Sequence, residues 1–325
     1  MPNYFLNIAF AFTFLTAATV PSIAYSFDGP METKNQFPLF THLNAVSFEG
    51  ATLENSYSLN FSYSTIYFVK TPTDWETSLD MELAGIDLRA RRIFDDSVEL
   101  GIEVPVLSFN AGFMDGVINN FHDDFGFPSY GRKNRPENEF LYEVKRNGVT
   151  IVKGKSGHAE LSDIRLSAKK ALMSSDPALS LKLAVELPTG DAKKGYGSGN
   201  IGADISLLLD RKFGDRYMTY FSLGAAFPGD LDAYEKVETR NFAFGGAALE
   251  MSAWDNLNLL AQITFQGSPY PKTGIKAMDA IAMLLTFGGR FTTGSGGSYD
   301  FSFAEDPNGG GIPDFTIGMS YKQKF

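Results

Sequence analysis

Histidine chemistry has little to draw on in this chain. Three histidines occur, His42, His122 and His158, and cysteine is absent, which removes thiol nucleophiles, thiolate metal sites and disulfides. His158 with Ser156 or Ser162 is the one pairing that would set a base beside a hydroxyl at a strand end, as a lipid-modifying membrane hydrolase needs. A serine near a loop histidine is common by chance, so no catalytic residue is assigned. The glycine clusters at 194–199, 294–297 and 309–311 lack a following Lys-Ser/Thr and read as loops rather than phosphate cradles. Asp115, Asp123 and Asp124 are the one acidic group placed to attract a divalent cation such as calcium, which takes oxygen ligands. They flank Phe113, Val117, Phe121 and Phe125, which recur every four residues as a helical stripe. The bland reading is a short amphipathic helix packed on a rim. The sharper one is a gate built from Phe113, Asp115, Phe121, His122 and Phe125. No resident metal or cofactor is expected.

The elements that would position these residues are strands. Phe315, Ile317, Met319, Tyr321 and Phe325 fall on one face of the last segment and Thr316, Gly318, Ser320, Lys322 and Lys324 on the other. Asn55 to Val69 alternates in the same way, with Tyr57, Leu59, Phe61, Tyr63, Tyr67 and Val69 opposed to serines and Asn60. Trp75, Leu79 and Met81 oppose Glu76, Asp80 and Glu82, after which the phase slips near Ala84-Gly85 and a bulge is expected. Similar runs begin near residues 98, 164, 179, 201, 217, 240, 257, 281 and 299, making twelve strands in all. Short links alternate with long ones, the longest being 110–157, which is the pattern of short periplasmic turns and long outer loops.

The fold class is therefore all-β: a closed antiparallel transmembrane barrel of about twelve strands. Its apolar face meets lipid and its polar face lines a lumen through Glu76, Asp80, Glu82, Glu99, Glu103, Asp163, Arg165, Lys169, Lys182, Glu186, Asp204, Asp210, Glu250 and Arg290. Acids outnumber bases in that set, which predicts weak cation preference in any open pore. Trp75 near the outer rim, with Trp254 and Tyr217 near the inner one, read as interfacial girdles. Residues 1–24 read as an export signal, 25–54 as a periplasmic lead or plug, and 110–157 as an outer loop holding a short helix and a hairpin turning at Asn147-Gly148. The net charge of −10 argues against a nucleic-acid partner.

Particular words narrow the class further. Asn35-Gln36-Phe37-Pro38-Leu39, Gly112-Phe113-Met114-Asp115-Gly116 and Phe121-His122-Asp123-Asp124-Phe125-Gly126-Phe127-Pro128 resemble an uncharacterised family of bacterial secreted proteins of unknown function. Glu186-Leu187-Pro188-Thr189-Gly190-Asp191 is similar to outer-membrane transporters linked to aromatic-compound degradation. The chain departs from the family's pattern at Phe37, where a second polar residue is expected, and near Leu161-Ser162, where a glycine is. The resemblance implies an outer-membrane barrel and no established activity. The function expected is a narrow channel for small solutes, including apolar or aromatic ones. The alternative is a structural or surface-interaction barrel. The expected partners are outer-membrane lipid, a small solute, and the barrel-assembly machinery reached through the strand ending at Phe325.

Overall fold

The computed structural model describes residues 27–41, 48–71, 74–125, 132, 135–307 and 309–325; the export signal read at 1–24 and His42 fall outside them. Twelve strands build the wall: β1 Ser56–Lys70, β2 Trp75–Phe94, β3 Val98–Asn110, β4 Ile164–Met173, β5 Ala178–Leu187, β6 Gly202–Phe213, β7 Tyr217–Phe227, β8 Phe242–Trp254, β9 Leu257–Gln266, β10 Ala282–Thr292, β11 Gly297–Glu305 and β12 Phe315–Lys324. Each pairs antiparallel with its sequence neighbours, and β1 pairs with β12 from Ser56↔Lys324 to Thr65↔Phe315, closing the sheet. Closure leaves no bare edge, which is what lets a sheet stand in hydrocarbon.

Tight turns gather at one end. Asp95 and Asp96 both take positive φ between β2 and β3, and Gly214 does so between β6 and β7. Long connections gather at the other end. The longest carries helix Asp115–Phe125 and a hairpin, Leu141–Arg146 with Val149–Lys153, turned by Asn147 (φ 50°) and Gly148 (φ 75°). That positive-φ pair is the twist a two-residue hairpin needs.

Side chains sort as a membrane wall requires. Leu59, Ile86, Leu183, Leu207, Phe221, Leu259 and Phe301 are exposed on the outside, while Lys182, Glu99, Asp210 and Arg290 are buried inside. Trp254 is 64% exposed at the short-turn end. Trp75 is not a girdle residue: it is 4% exposed and packs inside against Tyr270 at 6.2 Å, with Arg146 over its ring.

That difference has a physical origin. The bulge expected at Ala84-Gly85 is absent, since β2 pairs with β1 without a register shift from Ser56↔Arg91 to Lys70↔Thr77. One unbroken pleat puts Trp75, Leu79, Met81 and Leu83 on the same face as Asp87, Arg89 and Arg91, and that face is the lumen. Glu76, Asp80 and Glu82 lie on the outer face. What changes along β2 is the medium inside the barrel, not the phase of the strand. The upper lumen is an apolar core joining Leu79, Leu83, Phe109, Tyr142, Tyr196 and Tyr270 with Phe37 and Phe40. The lower lumen is ionic.

Candidate functional site

The ionic lumen is filled by the chain's own N-terminal segment. Residues 27–41 and 48–55 run through it and are tied to strands around the barrel, from β1 to β12. The inward charges arise from simple alternation: every second residue of a strand faces the same side, and on these strands those positions are polar.

Arg91 is the hub. Its Nη1 lies 2.7 Å from both Glu32 Oε1 and Glu54 Oε1, and Nη2 lies 3.7 Å from Glu49. Arg89 meets Glu32 at 2.9 Å and Glu103 at 2.7 Å. Lys34, carried in by the segment, binds Asp87 at 3.1 Å and also Glu103. On the neighbouring strands Lys182 pairs with Glu49, and Lys169 bridges Glu99 to the carbonyls of Gly50 and Thr52. Asp210 accepts from the backbone N–H groups of Ala51 (2.8 Å) and Thr52 (2.9 Å). Further round, Arg290 holds Glu250, Asp300 and the carbonyl of Gly29, while Lys322 holds Asp28.

Burial alone would raise the carboxyls of the segment. The facing cations outweigh it: Lys322 and Arg91 hold Glu54 at about 2, and Arg91 and Arg89 hold Glu32 well below its ordinary range. Lys182 and Arg91 do the same for Glu49. Cavities of about 70, 40 and 30 Å³ remain around the segment, room for a few waters each.

Among the residues read as lumen-lining, Glu99, Glu103, Lys169, Lys182, Asp210, Glu250 and Arg290 join this network directly. Arg165 pairs with Asp204 inside the wall, and Glu186 borders the same cavity as Asp163. Asp163 binds the N–H groups of Gly190 and Ser198, and so fixes the 190–198 loop. Glu76, Asp80 and Glu82 are corrections, because the uninterrupted pleat of β2 turns them outward. Asp87, Arg89 and Arg91 were missed for the same reason. Unbroken alternation of Ile86, Leu88 and Ala90 against those three residues was the available signal.

The long loop divides in two. Its hairpin lies over the mouth, burying Tyr142, Val144, Ile151 and Val152 in the upper core. Its helix lies instead on the outer wall, where Glu82 Oε1 accepts from the N–H groups of Phe113 and Met114. A helix gating the mouth is therefore not what forms. Asp115 is buried against Arg132, Asp123 and Asp124 are exposed, and no cluster of three or more metal-ligating side chains occurs among the described residues. The side chains of Phe121, His122 and Phe125 lie outside the described residues. His158 is exposed whereas Ser162 is buried, and the two are not a hydrogen-bonded pair.

A profile described as a protein of unknown function (DUF3187) matches residues 7–325. The chain belongs to that family. No curated protein matches this DUF3187 chain. Among solved structures, an outer-membrane channel from Pseudomonas putida F1 is similar at 11% identity, with a TM-score of 0.56, over 84% of this chain and 96% of the other. The P. putida toluene transporter TodX is similar at 11% identity with a TM-score of 0.41, over 84% and 90%. The likeness to the channel is one of fold: this chain is an outer-membrane-type β-barrel.

Proposed function

We propose that this chain is an outer-membrane channel for small solutes, closed at rest by its own residues 27–41 and 48–55. The ion-pair zipper between that segment and the wall carries the reading. A purely structural barrel can fill its interior with side chains of the wall, as small barrels do. This one holds its lower filling by charge pairs and hydrogen bonds to a stretch of chain outside the sheet. The long loops, including 110–157, face outside, and the short turns with both ends of the sheet face the periplasm. The upper lumen is closed by the buried aromatic side chains of Trp75, Phe109, Tyr142, Tyr196 and Tyr270, above an ionic throat, and a core of that chemistry supports small apolar or aromatic solutes as those it would admit on opening. The similar structure described as an outer-membrane channel supports the same class. Phe325, exposed on the outer face 6.2 Å from the ring of Tyr57, is the end that assembly machinery would engage. No catalytic role is assigned to His158.

A second reading, a non-transport barrel, is favoured by how small the lumen cavities are. Conductance in planar bilayers separates the two. The full chain should be nearly silent, and a chain lacking 27–54 should conduct. If the deleted chain folds, as shown by a heat-dependent shift on gels, yet passes no current, the structural reading stands.

A further inference from the structure

On the outside of the barrel, a polar clasp pins helix α2 (Asp115–Phe125; α1 is Pro38–Thr41) over the seam where β1 meets β12. Arg132 donates to Thr65 of β1 at 3.0 Å and pairs with Asp115 at the start of α2 and with Asp314 just before β12. Glu82 of β2 takes the Phe113 N–H at 2.9 Å, the Met114 N–H at 2.6 Å and the Tyr63 hydroxyl. Met114 and Ile118 are buried beneath the helix. The described inner side chains of α2 are thus committed to the wall.

Its outer side is ordered by polarity along its length. Phe113 is 69% exposed and Val117 is 59% exposed; next on the same stripe come Asn120 and Asp124, also exposed. Seven residues separate Val117 from Asp124, an axial rise of about 10 Å. That rise is comparable to the depth of about 5–10 Å to which interfacial helices bury their apolar face, so an inclined helix can set Val117 and Asp124 at different depths. The apolar end is continuous with the lipid-facing surface. The Phe113 ring lies 5.6 Å from Tyr63, which stands on the outer face of β1 above the exposed Phe61 and Leu59.

We propose that α2 is an interfacial helix that docks on the outer leaflet, with Phe113 and Val117 among acyl chains and Asp124 in the aqueous headgroup layer. The occupant of this face is lipid, not a solute or a second protein. The proposal rests on the membrane reading of the barrel, and the test separates the two.

The chain has no cysteine, so single labels can be placed cleanly. Nitroxides are attached at Val117→Cys, Asp124→Cys, Leu183→Cys and Lys155→Cys in the full chain, reconstituted in phospholipid vesicles. Collision with oxygen reports lipid, and collision with a water-soluble nickel chelate reports water. Position 183 should favour oxygen and position 155 nickel; position 117 should behave like 183, and position 124 like 155. Nickel accessibility at 117 equal to that at 155, with 183 in lipid, overturns the docking. Equal oxygen preference at 117 and 124 overturns the inclined placement. Nickel accessibility at 183 overturns the membrane reading itself.

Discussion

Arg91 holds together parts of the chain that no local pattern joins. It sits on β2 and gathers Glu32 and Glu54 from either end of the lumen segment, with Glu99 of β3 at 3.9 Å. Removing one partner of a buried ion pair typically costs about 3–5 kcal/mol, because the other charge is left unpaired. Arg91→Met should therefore loosen the segment while the wall, which owes its stability to pairing and lipid contact, stays folded. The expected outcome is current through a protein that still shows its gel shift. Acid should act on the same contacts. Glu54 titrates at about 2 in the folded chain against an ordinary 4.5, so the undocked segment takes up protons first as pH falls. The docking free energy from this group is complete above pH 4.5 and drains away as pH falls towards 2. Current recorded from about pH 7 downward should stay flat to roughly pH 5 and rise only in the acid limb. A rise already at neutral pH would mean that other groups hold the segment.

At the scale of elements, β5 was legible because its two faces meet two different media. Leu181, Leu183 and Val185 alternate with Lys182 and Glu186, and the structure puts the first set outside and the second inside. Leu183→Arg should destabilise the barrel by about 2–4 kcal/mol, the cost of a cation at mid-membrane depth on a lipid-facing strand. Urea unfolding in lipid measures it. The upper half of β2 was not legible. There the inside is as apolar as lipid, because Phe37, Phe40 and the mouth hairpin fill it. The outside is polar, because α2 and Arg135 cover Asp80 and Glu82. Alternation reports that two faces differ; it does not report which distant segment covers each. The place of Lys182 was legible in the same limited way, since its position said lumen but not that Glu49 would be waiting there.

For the whole molecule, strand number and closure followed from the alternating runs and link lengths, whereas selectivity could not. Sequence placed an acidic excess in the lumen, but much of the acid belongs to the segment: Asp28, Glu32, Glu49 and Glu54 against one cation, Lys34. Removing residues 27–54 takes those acids away and bares Arg89, Arg91, Lys182 and Lys322. A pore opened by that deletion should prefer anions relative to one opened by Arg91→Met, since rings of cationic side chains favour them. Reversal potentials in a salt gradient for the two variants give the comparison. The lumen segment also bears on how the molecule is made. Asp28 meets Lys322 across 294 residues of sequence, and Gly29 meets Arg290 across 261. Contacts that distant cannot form until the intervening chain exists, and their closure entropy is met late. The lumen segment, which is synthesised before every strand of the wall, therefore finds its partners last. Until β12 is in place the acidic segment lacks the Lys322 that meets Asp28 and Glu54, so its docking completes only as the barrel closes.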